Sequence, residues 1–596
     1  MAKQSAALTS LPSRWFEGVS PSLPWPEYPR PQLRRAHWQC LNGPWEYAIR
    51  EGASLDLGGA PADFDGVILV PFSPETLLSG VGRQLMPGQT LWYRRRVRFE
   101  NPAALPVTLL HFGAVDQHCA VYLNGQSVGT HDGGYWPFAL NISALLREGE
   151  NELILAVTDD ANHSAEAFGK QSLSRGGTRY TPQSGIWQTV WAEFLPAAYL
   201  TDLRLTPLYD ESCLEVSARF SGDVGPVQIK VLAEGEEIAK AAFNTYENMR
   251  VPLPDFRAWS PEDPFLYDLE IAAGEDRVRS CFGMRKFGIL KDKAGVPRFA
   301  LNGKILFQTG LLDQGYWSDG LYTPPCDEAV VWELEQLKGL GFNMLRKHIK
   351  IEPLRWYYHC DRLGLLVWQD FVSGGGKRLP WTVQVAGFLG IPVSDRDYAR
   401  FGRKDPAGRA NYERDMGRTM ALLRNAVSIA MWVPFNEAWG QFDAARIAEA
   451  VRRADPSRWV DHASGWQDQG VGDCYSRHVY FMRYRHKRDR RGRVEVLSEF
   501  GGYSCAAPGH MASPRLFGYK KYGSPEALTE GWRRLYEREI LPAAARGLSA
   551  AVYTQVSDVE DEINGLFTYD RAELKPAAEA VKSCNSALKR AILPFC

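Results

Sequence analysis

The sequence predicts a three-part chain: a jelly-roll β-sandwich over residues 1–195, an immunoglobulin-like β-sandwich over 196–289, and a (β/α)8 TIM barrel over 290–596. Three observations carry that prediction. Up to residue 195, short β-prone runs are separated by turn signals, and no helical period of useful length interrupts them. The next stretch, about 95 residues, keeps the same texture, enough for one further sandwich. From about residue 290 strands alternate with helical patterns, which is the grammar of a barrel with parallel strands.

In the first part, Leu91–Phe99 and Ala120–Leu123 read as strands, and Asn124-Gly125 is a strong hairpin turn. In the second, Val227–Val231 alternates apolar and polar residues, and Trp259-Ser260-Pro261-Glu262-Asp263-Pro264 marks a turn. In the third, strand candidates end at Asp313, Arg346, Asp370, Glu437, Ser464, Tyr480, Glu499 and Gln555. Helical patterns lie between several of them, at Asp327–Leu340, Glu352–Leu363 and Tyr412–Asn425.

Two strand ends carry the chemistry. Ser428–Val433 is an apolar run without alternation, as expected for a strand buried on both faces. It stops at Pro434 and delivers Asn436 and Glu437, before Phe442–Val451 resumes at helical period. Val494–Ser498 repeats the pattern and ends in Glu499-Phe500-Gly501-Gly502. A barrel places its reactive groups at the C-terminal ends of its strands, so both glutamates are expected at one rim.

Together, Asn436-Glu437 and Ser498-Glu499-Phe500-Gly501-Gly502 resemble the acid/base and nucleophile strands of glycoside hydrolase family 2. Leu41-Asn42-Gly43-Pro44-Trp45, Val70-Pro71-Phe72, Ser184–Trp191 and Phe282-Gly283-Met284-Arg285-Lys286-Phe287 resemble that family's two sandwich domains. The resemblance implies a retaining exo-β-glycosidase acting on a carbohydrate or glycoside substrate, with Glu437 as acid/base and Glu499 as nucleophile. It gives Asn436 the sugar 2-hydroxyl, Arg346 the task of keeping the nucleophile ionised, and Tyr480 a hydrogen bond to it. Asp313, His348, Asp370, Trp439, His478 and Gln555 fall at or beside strand ends as further substrate contacts. In relatives a loop near Lys170 and Gln171 reaches the barrel mouth; His510 is a further loop candidate.

Two departures bear on the sugar. The eighth strand carries Tyr553-Thr554-Gln555, with no Trp platform. The Asn-x-Lys pair with which the family's glucuronidases grip a carboxylate is missing: the matching region reads Glu562-Ile563-Asn564-Gly565-Leu566-Phe567. Asn302-Gly303-Lys304 has the spacing but lies in a hairpin that opens the barrel. A neutral, β-galactoside-like sugar is therefore favoured, with β-glucuronidase or another family activity, furanosides included, as the alternative. The rival from outside catalysis is a carbohydrate-binding protein on the same scaffold.

Composition excludes other classes. A net charge of −1 gives no pull toward nucleic acid or membrane, and no apolar run reaches the ~18 residues needed to span a bilayer. The start shows no long apolar region, so a cytoplasmic location is expected. Ten cysteines stand singly without a CxxC pair, which fits reduced thiols rather than a disulfide frame or metal site. Neither cofactor nor metal is expected. The acidic run Asp558, Glu560, Asp561 and Glu562 reads as a turn in preference to a divalent-cation site, and the basic run Arg483–Arg493 as a solvated loop in preference to a surface for an acidic aglycone or partner. Family relatives form dimers or tetramers, so a homo-oligomer is one expectation; the sequence leaves it open.

Overall fold

The computed structural model describes residues 11–376, 381–388, 391 and 393–595. The first part is a sandwich of a six-stranded and a four-stranded antiparallel sheet. Gln89–Arg98 and Glu150–Thr158 lie at the centre of the larger sheet. Val190–Leu195 and Val107–Phe112 form the middle of the smaller. Between them Trp45, Leu91, Tyr93, Phe112, Val121 and Leu155 make one core. Asn124 and Gly125 both take positive φ and join His118–Leu123 to Gln126–Asp132, as the turn signal predicts.

The second sandwich has seven strands. Leu200–Leu208, Cys213–Phe220 and Met249–Pro252 form one sheet. Glu236–Phe243, Val227–Ala233, Tyr267–Ala273 and Asp276–Phe282 form the other. Strands from the two sheets contribute alternate residues to a closed apolar core, an immunoglobulin-like arrangement.

A small antiparallel sheet, Phe287–Lys291, Pro297–Leu301 and Lys304–Ile305, precedes the barrel. Phe299 packs against Trp368 and Trp459 in the apolar core at the barrel's base. Asn302 and Gly303 form its turn, both at positive φ, and Lys304 is exposed there.

The barrel strands, in order, are Gln308–Asp313, Met344–Lys347, Leu366–Asp370, Ile429–Val433, Trp459–Val460, Cys474–Val479, Val494–Gly501 and Leu548–Thr554. All pairings are parallel, and the eighth strand closes on the first. Most of their residues are buried, which explains the unbroken apolar runs. No ladder joins the fifth and sixth strands among the described residues; a hydrogen bond from Asp473 N to Val460 O at 2.9 Å spans that seam. The helices obey local rules. Asp405 and Ser524 cap Pro406–Leu423 and Pro525–Leu535 from the residue before proline. Ala444–Ala454 buries Ala444, Ile447, Ala448 and Val451, one helical stripe.

Three expectations change. The fourth strand ends at Val433, so Glu437 sits in the following loop; Pro434 has no N–H with which to extend the ladder. Arg346 lies one residue inside its strand, while Tyr480 and Gln555 lie one residue beyond theirs. Strand–helix alternation lapses after the fifth and sixth strands, where the described residues form loops. The basic run occupies the second of these loops. There Arg493 pairs with Asp468 at 2.7 Å and with Asp489 at 3.1 Å, and Arg488 donates to the Gly295 carbonyl at 3.0 Å.

The described cysteines are all free thiols. No described helix is long and apolar enough to cross a membrane.

Candidate active site

The loop after the fourth strand holds Glu437 and Ala438 at φ +48° and +62°, a left-handed pair that L-residues avoid. Such strain costs about 1–3 kcal/mol per residue and persists only where surroundings enforce it. Here a short parallel bridge links Asn436 to Ser464, and Glu437 N donates to the Ser464 carbonyl at 2.8 Å. The loop therefore aims Glu437 back over the barrel axis, toward Glu499 on the seventh strand. Carboxylate oxygens of the two, and a ring nitrogen of His478, all lie within 4.8 Å of one another.

Arg346 organises the floor. Fully buried, it forks onto Asp370 (Nε–Oδ1 and Nη2–Oδ2, both 3.0 Å) and donates from Nη1 to Glu499 Oε1 at 3.0 Å. Its Nη2 also donates to Asn436 Oδ1 at 2.8 Å. Burial works against the guanidinium charge, but Asp370 and Glu499 outweigh it, so Arg346 stays charged. Burial pushes Asp370 up to about 6, with Arg346 as its main counterweight. Tyr480 donates to Glu499 Oε2, and its hydroxyl lies 2.9 Å from Thr554 Oγ1. Both oxygens of Glu499 thus have donors.

Glu437 is in a different environment. His478 Nδ1 lies 2.8 Å from Glu437 Oε1, while His478 Nε2 meets Ser464 Oγ at 3.0 Å. Burial raises the Glu437 carboxyl, but the His478 hydrogen bond and the fields of His478, Lys170 and Arg346 overcome it and hold the group below its ordinary value.

The other sequence candidates divide. His348 is buried 3.7 Å from Glu499 Oε1, and neither ring nitrogen has a hydrogen-bond partner. Burial, then the fields of Lys170 and Arg346, keep its ring neutral. Asp370 belongs to the site only through Arg346. Asp313 is turned away: it pairs with Lys347 at 2.6 Å, and Lys347 also binds Glu352 at 2.8 Å in a buried network. Gln555 accepts from Gln314 and donates to Asn564, so both ends of its amide are held by protein. The half-buried Trp439 ring packs edge-on to Phe168 and beneath Arg179. His510 is bound to Asp570 at 2.7 Å, and Gln171 stays with Asp116 and Tyr135.

Two residues that sequence reasoning missed line the rim. Tyr519 stacks on Tyr480 with ring centres 3.9 Å apart, and no local pattern marks it. Arg179 arrives from the first sandwich; the Ser174-Arg175-Gly176-Gly177-Thr178-Arg179 loop just before Ser184–Trp191 was the available signal.

Glu437, His478 and Glu499 are also the set of described residues close enough to share a metal. A guanidinium 3.0 Å from Glu499 makes the spot unfavourable for a cation. The acidic run near 560 is taken up by protein: Asp558 pairs with Lys575, and Glu560 accepts from Thr181 N.

Arg346→Met leaves Asp370 and Glu499 buried without their shared counterion. The variant is expected to lose about 3–5 kcal/mol of stability in urea unfolding. A loss below about 1 kcal/mol would mean the two carboxylates do not depend on it.

Fold and rim together define the class: a (β/α)8 barrel behind two β-sandwiches, with a close pair of carboxylates at the C-terminal face. The chain matches the glycosyl hydrolases family 2 sugar binding domain over residues 84–170 and the family's TIM barrel domain over 299–589. It belongs to glycoside hydrolase family 2. A putative beta-glucuronidase of Formosa agariphila is 26% identical over 381 residues, 60% of this chain and 43% of that protein. A beta-galactosidase of Streptococcus thermophilus is 27% identical over 390 residues, 61% of this chain and 34% of that protein. The chain thus spans less than half the length of these curated relatives. The solved structure of a beta-D-glucuronidase from Dictyoglomus thermophilum superposes with a TM-score of 0.73 over 94% of this chain and 98% of that one, at 17% identity, a likeness of fold.

Proposed function

We propose that the protein is a retaining exo-β-glycosidase working by double displacement, with Glu499 as nucleophile and Glu437 as acid/base. The observation that carries the reading is the separation of the two carboxylates, whose oxygens lie within 4.8 Å. Retaining enzymes hold theirs ~5–5.5 Å apart, whereas inverting enzymes need a wider gap for water. The surroundings also differ. Arg346 and Tyr480 fix both oxygens of Glu499 on the seventh strand, while Glu437 comes from the loop after the fourth strand and is held by His478. Asn436, fixed through its oxygen by Arg346, keeps its amide N–H groups for the sugar 2-hydroxyl, a contact that strengthens in the transition state. The first sandwich closes one side of the mouth: Gly169 N donates to the Ser373 carbonyl at 3.0 Å.

Relatives named for glucuronides and for galactosides both support a β-linked hexose or hexuronate. A panel of 4-nitrophenyl β-glycosides, with product anomers followed by NMR, tests the reading. Turnover with the β-anomer formed first is expected. Sugar binding without turnover of any member would favour a carbohydrate-binding role instead.

His478→Asn gives a pH test. Removing a hydrogen bond that favours a carboxylate raises its pKa. Glu437 then holds its proton to higher pH, so the basic limb of the kcat/KM profile moves upward. A limb that stays put or moves down would place the acid elsewhere.

A further inference from the structure

The loop of the first sandwich that closes the mouth brings cations, and the carboxylates around them already have donors. Lys170 follows the pinned Gly169; its ammonium lies 5.6 Å from the Tyr180 ring centre and has no hydrogen bond or ion pair with the described residues. Arg179 lies 4.2 Å over the ring of Trp439, in the loop that also carries Glu437. Glu499 is held by Arg346 and Tyr480, and Glu437 by His478. Glu562 is held by Tyr180 and by Asn564 at 2.9 Å. His348, buried beside Glu499, has two ring nitrogens without partners.

The wall therefore combines a half-buried ammonium, a neighbouring guanidinium and an unused imidazole. Adjacent cations repel, and buried polar atoms without partners are costly, unless a ligand brings an acceptor that carries charge.

We propose, resting on the glycosidase reading above, that the sugar taken is a β-linked hexuronate, and that Lys170, with Arg179 beside it, is the specificity-determining cation for its carboxylate. His348 hydrogen-bonds the same sugar from the floor. The cation comes from the first sandwich, which is why the missing Asn-x-Lys pair in the barrel does not decide for a neutral sugar. One electrostatic consequence supports the assignment. Lys170 is among the fields that hold Glu437 down, so a carboxylate seated on its ammonium offsets that field and helps Glu437 keep the proton it must donate.

The test compares full-length wild type with Lys170→Gln and Lys170→Arg on 4-nitrophenyl β-D-glucuronide, β-D-galacturonide, β-D-glucoside and β-D-galactoside. Calorimetric titration with free D-glucuronate and D-glucose runs alongside. Wild type should favour one of the uronides by at least about 10²-fold in kcat/KM. Lys170→Gln should lose that preference, mostly through KM, and Lys170→Arg should regain part of it. A neutral glycoside preferred by wild type, or a uronide preference unchanged in Lys170→Gln, overturns the proposal and leaves the glycosidase reading standing. If no glycoside turns over, Lys170-dependent binding of D-glucuronate upholds the anionic site while the glycosidase reading fails. Absence of such binding overturns both.

Discussion

Glu499→Gln is expected to reduce turnover by about 10⁴–10⁶-fold on every glycoside the wild type cleaves, with its fold retained. The magnitude is that of removing a nucleophile whose partners stay in place. No neighbour can take over the attack. Asp370 is locked by both arms of the Arg346 fork, and Glu437 is bound to His478 on the opposite side. Folding should survive, because Arg346 keeps Asp370 and Asn436 as partners. The companion Glu499→Ala opens the space below the anomeric carbon. With azide present it should form an α-glycosyl azide, since the small anion attacks from the vacated face. Residual activity above about 1% of wild type in Glu499→Gln, with no azide product from Glu499→Ala, would remove Glu499 from the reaction coordinate.

Glu437→Gln should show a different signature. Loss of general-acid assistance costs about 10²–10⁴-fold where the leaving group needs a proton, and far less where it departs as a stable anion. Natural or alkyl glycosides should therefore slow greatly, and 2,4-dinitrophenyl glycosides only modestly. For the activated substrates the second step becomes limiting, because water has lost its base. In Glu437→Ala, azide should accelerate that step and yield a β-glycosyl azide, the stereochemical opposite of the Glu499→Ala product. Equal losses on both kinds of substrate would contradict the assignment.

Much of the fold was legible because its signals are local. Asn124-Gly125 marks a hairpin by backbone preference alone. Ala444–Val451 marks a helix by its stripe. The unbroken apolar run at Ile429–Val433 marks a strand covered on both faces. Where strand–helix alternation lapsed after the fifth and sixth strands, composition offered a basic, turn-rich stretch, but nothing in it said whether a helix would be replaced by a loop. Glu437 is expected at a strand end, and it lies close to Glu499, yet its left-handed loop depends on the bridge from Asn436 to Ser464, which is remote in sequence. Asp313 and Gln555 read as rim residues because both fall at strand ends. Their partners, Lys347 for one and Gln314 and Asn564 for the other, are what turn them into structural groups.

The sequence by itself determined the architecture, and it marked Glu437, Glu499 and Arg346 as the candidates that the site is built from. Those follow from periodicity, turn chemistry and motif, all short-range along the chain. Only the tertiary structure decided how near Glu437 and Glu499 come, which oxygen each donor holds, and that Arg179 reaches the Trp439 ring from another domain. Distances and electric fields act through space, and they are summed over groups hundreds of residues apart, so no local stretch contains them.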